Sequence, residues 1–340
     1  MMSGVRPVVR APSVSRPDAP YVHTWIPALR AGKGCAIDGS VTLPRPVYPC
    51  TAYLVTRRCT QRQFLLRPDR EVNNAFIYCL AVAAERHQIS VIDFVQMSNH
   101  LHDVIFDRYG TAPKFYEEFH KLLAKCVNAQ RGRWENVFAS TQTNVVRLVT
   151  EEDLVNELVY VATNPVKDGL VERVDHWPGS SGYQSLQNGR TLHAYRPKHF
   201  FSEDGDMPEE VTLELTIPPE LGDRDAILEA VRVRVDAVEQ EEARKRAAAG
   251  TKVLGRYAVL RQSWRDSPTS REPRRGLKPS FAARNLWARL EAIQRKREFV
   301  ADYRNARRAL LDGAPIPFPC GTYWLRHFFG VAVVAAEENN

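Results

Sequence analysis

No long apolar run interrupts this 340-residue chain. None reaches the roughly 20 residues that cross a bilayer as a helix, so no membrane span is expected. The opening stretch MMSGVRPVVRAPSVSRPDAP lacks the apolar core of a secretory leader, and the chain is expected in the cytoplasm. Cysteine pairs are also missing. Cys35, Cys50, Cys59, Cys79, Cys126 and Cys320 are scattered without a CxxC, which argues against a cysteine zinc site or a disulfide framework. There is no internal repeat.

Positive charge is what the chain has in excess, and it is concentrated. The formal net charge is +7, yet residues 261–308 hold 14 Lys+Arg against 5 Asp+Glu, a local +9, so the remainder sums to 7 − 9 = −2. One basic segment is the footprint of a nucleic-acid contact, or of a solvated basic helix. Hydrophobic residues make up 44% of the chain, enough for a sizeable core, and the length suggests one catalytic domain with appendages, with two compact domains as the alternative.

The residue pattern divides the chain. Residues 1–46 carry Pro, Gly and Arg without periodicity and read as a disordered tail. TAYLVTRR (51–58) predicts a strand, and EVNNAFIYCLAVAAERHQ (71–88) a helix through Val72, Phe76, Leu80 and Ala83. SVIDFVQM (90–97) and HLHDVIFD (100–107) predict two strands joined at Ser98 and Asn99. KFYEEFHKLLAKCVNAQR (114–131) is an amphipathic helix, TNVVRLV (143–149) a strand, and EEDLVNELVYVATN (151–164) a helix stopped by Pro165. This order predicts an α+β, ferredoxin-like split β-α-β domain over 47–190, with an antiparallel sheet, helices on one face and an added C-terminal helix. Such a fold decides no function by itself. A mostly helical basic extension follows over 191–340, with a short strand within 207–221 and helices over 224–250 and 281–310. The aromatic segment FPCGTYWLRHFFGV (318–331) is expected to pack back on the body, and the final EENN to fray.

Chemistry enters with FVQMSNHLHDVIFD (94–107). Side chains at i and i+2 of a strand share a face, so His100 and His102 project together and could chelate one divalent ion. They could equally be two polar residues after a turn. Leu101 points to the core, while Val104 and Phe106 share the histidines' face. On the 151–164 helix, Leu154, Leu158, Val161 and Ala162 form one apolar stripe. Tyr160 falls nearly opposite it, on the side of Asp153, Asn156 and Asn164. Asn164 is one turn beyond Tyr160. A surface tyrosine and a nucleophile beside an amide ligand both fit that spacing.

Taken together, MSNHLHDVIF, YVATNPVKDGLV beginning at Tyr160, HWPGSSGY (176–183) and YLVTRR near the first strand resemble the single-tyrosine HUH transposases. That family includes the transposases of the smallest insertion sequences and the REP-associated tyrosine transposases. The resemblance covers residues 50–186, with the motifs in the family's order. It implies His100 and His102 as metal ligands, Tyr160 as nucleophile and Asn164 as a third ligand. It also implies Mg²⁺, although imidazole ligands on chemistry alone favour Mn²⁺ or another transition ion. The implied reaction cleaves and rejoins single-stranded, hairpin-flanked DNA through a 5′-phosphotyrosine, with the protein associated with the nucleoid when on DNA. Arg57, Arg58 and Arg62 are candidate phosphate contacts. Relatives act as homodimers or monomers. The alternatives are a domesticated hairpin-DNA-binding or nicking protein, or an inactive nucleic-acid-binding regulator. A relaxase would place its tyrosine before the histidines, and an initiator would carry a lysine or second tyrosine near the nucleophile. Many relatives carry a Gly-x-Trp-Gln-Gly-Arg-Phe-like strand where this chain reads RWENVFASTQTNVVRL. That departure falls on DNA-end recognition rather than on strand cleavage.

Overall fold

Thr51–Arg58 is rich in aromatic and β-branched residues and forms the first strand, β1. The computed structural model describes residues 44–270 and 279–335. The tail expected over 1–46 falls outside these up to residue 43, as does the terminal EENN. Helix α1, Arg70–His87, starts where the Asp69 side chain accepts the Val72 N–H, and ends at Gln88 in the left-handed conformation. Strands β2, Ile89–Gln96, and β3, His100–Asp107, follow. Helix α2, Ala112–Arg131, closes at Gly132, whose φ of +62° suits glycine. After β4, Asn144–Leu148, a capping box between Thr150 and Asp153 starts α3, Glu151–Lys167.

Helix α3 does not stop before Pro165. Proline lies in its last turn, where the missing N–H forfeits a single helical bond. The end is closed instead by the Asp168 N–H on the Asn164 carbonyl and the Leu170 N–H on the Pro165 carbonyl, both at 3.0 Å.

The chain is α+β, with strand order β2-β3-β1-β4 and antiparallel pairing throughout those four. Two expectations are corrected. First, the sheet is mixed: β7, Phe281–Ala282, adds in parallel to the free edge of β4. It covers an edge that would otherwise be open for pairing with another chain. Second, helices cover both faces. Phe94 of β2 packs on Phe76 of α1, with ring centroids 5.4 Å apart. Val95, the next residue, points the other way and pairs with His102, whose ring lies 5.1 Å from that of Tyr160 on α3.

Beyond α3 come α4, Tyr183–Asn188, and a hairpin of β5, Leu192–Tyr195, with β6, Glu210–Leu213. Of these, only β6 was expected. Helix α5, Arg224–Ala249, ends at Gly250 as its sequence predicts. It lays Ile227, Val231 and Val235 into the main core, and Arg234 bridges to Glu152 on α3. After α6, Arg256–Arg261, the predicted 281–310 helix is divided. Its first residues form β7, and Asn285 then caps α7, Leu286–Leu311, by accepting the Trp287 and Ala288 N–H groups. The aromatic segment, with α8 over Trp324–Phe329, folds back so that Phe318 is buried against Tyr303 and Leu310. No described helix is long and apolar enough to cross a membrane.

Candidate functional site

The pairing of β3 sets the histidines. His102 stands opposite Thr56 of β1 and His100 opposite Arg58. His102 is 4% exposed, so it is not a polar residue left at the surface by a turn. Val104 and Phe106 on the same face are fully buried. On α3, Leu154, Leu158, Val161 and Ala162 pack in the core, and Asn164 is buried with them while Tyr160 stays 36% exposed.

Two hydroxyl- and amide-bearing residues of α3 reach His102. Tyr160 Oη is 3.4 Å from His102 Nε2, and Asn164 Nδ2 is 3.4 Å from the same nitrogen. The two imidazole rings are edge to face, with centroids 4.9 Å apart. Each Nδ1 has its own partner: Thr56 Oγ1 at 2.9 Å for His102 and Asn99 Oδ1 at 2.7 Å for His100. With Nδ1–H donated to Asn99, His100 keeps the Nε2 lone pair for another atom, and Thr56 can accept in the same way from His102. Partners of this kind orient metal-ligating histidines.

Burial sets the protonation states. It lowers the His100 pKa to about 4; the Asn164 amide pulls it back up, and the Arg58 and Arg62 charges push it down. His102 is driven well below the ordinary histidine value by burial and then by His100. Both rings are therefore neutral at neutral pH, the form that binds metal. The Tyr160 phenol is raised, chiefly by burial and further by Glu157 and Asp168, against a lowering from Asn164. Lys167 Nζ lies 5.8 Å from the centre of the Tyr160 ring.

A divalent ion fits these residues on one observation in particular. Among the described residues, the buried Asn164 Oδ1 meets no donor at hydrogen-bonding geometry, although the amide acts on both His100 and Tyr160, and an acceptor left so needs an explanation. Two imidazole Nε2 atoms and an amide oxygen make a borderline nitrogen–oxygen set suited to Mn²⁺ or a similar ion. Among the described residues, no three His, Cys, Asp or Glu side chains cluster as a metal site.

The three arginines are placed differently. Arg58 shares the His100 side of β1, and Arg62 donates to Ser270 at 2.6 Å to the carbonyl and 3.0 Å to Oγ. Arg57 points to the opposite face, where it donates to the Thr141 carbonyl and covers the Phe138 ring. The structure thus brings together His100, His102, Tyr160 and Asn164, with Arg58 beside them, and leaves Arg57 apart. The sequence reading missed Thr56, Asn99 and Lys167. Asn99 carried a signal, being next to His100; Thr56 needed the strand register.

No protein-family model matches the chain, and no curated protein matches it. Among solved structures, the chain is similar to a REP-associated tyrosine transposase bound to a REP hairpin. The identity is 14% and the TM-score 0.35, over 55% of this chain and 98% of that one. At that TM-score the likeness by itself decides neither fold nor function.

Proposed function

We propose that this protein is a DNA strand transferase of the single-tyrosine HUH transposase type, acting on single-stranded DNA beside a hairpin. The observation that carries the reading is the Tyr160 hydroxyl 3.4 Å from His102 Nε2, next to the buried Asn164 Oδ1. His100, His102 and Asn164 would hold Mg²⁺ or Mn²⁺. Held there, such an ion would supply polarisation of the scissile phosphate and stabilisation of the charge that develops on it.

The remaining steps belong to the chain. Tyr160 attacks phosphorus, and its Oη–P bond forms as the bond from phosphorus to the 3′ oxygen breaks. The tyrosine loses its proton and the leaving 3′ oxygen gains one. Burial raises the Tyr160 pKa and makes the phenol a poor nucleophile alone; Lys167 Nζ is a cation against its ring, 5.8 Å from the centre. The phosphotyrosine ester retains the bond's energy, and the strand can be rejoined to another 3′-OH without ATP.

The strand order β2-β3-β1-β4 supports a ferredoxin-like split β-α-β arrangement for residues 47–190. The segment 191–340 is read as an extension that binds DNA or a partner. The buried His102 with its orienting partner favours an active site over an inactive regulator.

Labelled single-stranded DNA from the gene's own flanks, incubated with protein and Mn²⁺ and run on a denaturing gel, tests this. A shifted, metal-dependent band absent in Tyr160→Phe is expected. An adduct formed by Tyr160→Phe removes Tyr160 from the role.

A further inference from the structure

Between β7 and one face of α7 runs an open groove of about 830 Å³. Its floor is apolar, with Phe281, Ile293 and Val300. Its walls carry Arg284, Arg289, Lys296, Arg297 and Arg304, and among the described residues no carboxylate lines it. Positions 289, 293, 297, 300 and 304 recur at three- and four-residue steps, so one helix face presents them in a row. From Arg289 to Arg304 is 304 − 289 = 15 residues, roughly 22 Å along the axis, room for several nucleotides.

A merely solvated basic face looks different. On α5, cations are paired along the helix, as in Arg232–Glu229, Arg244–Glu241 and Lys245–Glu242. On α7 the Arg295–Glu291 pair lies off the groove. Two groove cations are braced instead by neutral groups: Arg289 Nε donates to the Ala283 carbonyl at 2.9 Å, and Lys296 Nζ to Ser280 Oγ at 3.0 Å. Arg297 and Arg304 are exposed.

One end of the groove touches α3. There, the Arg284 N–H donates to Asp153 Oδ1 on α3 at 3.0 Å. The Arg284 and Lys167 charges both act on Glu157, whose pKa burial raises and they lower. Glu157 in turn acts on Tyr160, and Lys167 lies against the Tyr160 ring. The row of cations thus ends at Arg284, where the carboxylates Asp153 and Glu157 of α3 begin.

We infer that the groove between β7 and α7 holds the phosphate backbone of single-stranded DNA. A row of cations over an apolar floor is the usual way to track a single strand without reading its sequence. The identity of the strand rests on the strand-transferase reading.

The test is fluorescence anisotropy of the full chain with a labelled oligo-thymidylate of about 20 nucleotides, over a series of salt concentrations. Tyr160→Phe and chelator keep covalent chemistry out of the measurement. Combined Arg297→Gln and Arg304→Gln is expected to weaken binding at least about tenfold, and to reduce the slope of log K against log salt by about 1.4, or 0.7 per lost contact. Combined Arg232→Gln and Arg244→Gln on α5, the same loss of charge elsewhere, is expected to leave binding within about twofold. Equal losses from both pairs, or none from the groove pair, overturn the groove. Oligo-uridylate that displaces the DNA through the same two arginines at lower concentration overturns its assignment to DNA. Groove-dependent binding by a protein that never forms an adduct supports the groove and sinks the strand-transferase reading alone.

Discussion

At the scale of single residues, the site depends on which ring nitrogen each histidine leaves free. Thr56 holds His102 by Nδ1 at 2.9 Å. Thr56→Val keeps the side chain's shape and removes that partner. Mn²⁺ affinity is expected to fall roughly 10- to 100-fold, while folding stability changes by only roughly 1 kcal/mol. Titration calorimetry with Mn²⁺ and a urea melt separate the two, and Thr56→Ser should restore affinity. Unchanged affinity in Thr56→Val would show that His102 is oriented by its packing alone.

At the scale of elements, one carboxylate ties two helices together. Asp69 Oδ1 accepts the Val72 N–H at 2.9 Å and so caps α1. Its Oδ2 receives Arg67 at 2.9 Å and Arg131, from the end of α2, at 2.8 Å. The Arg131 side chain is 6% exposed, so it cannot turn to water if Asp69 is lost. Asp69→Ala is expected to cost about 3 kcal/mol, from the lost cap and a stranded buried charge. Burial alone would raise the Asp69 pKa, but the Val72 N–H and the two arginines outweigh it and hold the carboxyl below 3.8. This contribution is present above that pH and is lost as pH falls through the depressed folded value. The gap between wild type and variant in urea melts should therefore close in acid. A gap that persists there would assign the loss to helix packing.

At the scale of the whole molecule, pH acts through a carboxyl that folding buries. Asp93 is fully buried in β2; Oδ1 accepts the Phe94 N–H at 2.8 Å and Oδ2 has no hydrogen-bond partner among the described residues. Burial raises its pKa from 3.8 to about 8, against a smaller lowering by the Phe94 N–H. The folded chain therefore keeps a proton that the unfolded chain releases. That contribution is complete below 3.8 and is lost as pH rises through about 8, at roughly 1.4 kcal/mol per pH unit between those values. Asp93→Asn removes the charge and keeps an oxygen for the Phe94 N–H. It should be more stable than wild type at pH 8 and show a flatter dependence of stability on pH. A pH slope equal to that of wild type would mean that Asp93 is ionised in the fold.

Local pattern alone was enough for most of the core elements, because apolar periods of 2 and 3.6 and caps such as Asp69 act over a few residues. The β1 bounds, 51–58, agree with the reading from residues alone. The α3 end did not, because one lost bond in a last turn is weaker than the packing around it. The split of the 281–310 stretch into β7 and α7 was likewise not local, since the open edge of β4 draws Phe281 into the sheet. Helical spacing put Tyr160 and Asn164 on one side of α3, and strand alternation put His100 and His102 on one face of β3. Neither period reports which face of the sheet receives which helix. The meeting of Tyr160 with His102, 58 residues apart, and of Thr56 with His102, 46 apart, was decided by strand register and by α3 packing on the histidine face. Sequence by itself determined the residue types, their periodicity and the charge carried by 261–308. Tertiary structure alone decided what those residues face, because contacts between distant segments are set by the packing of whole elements.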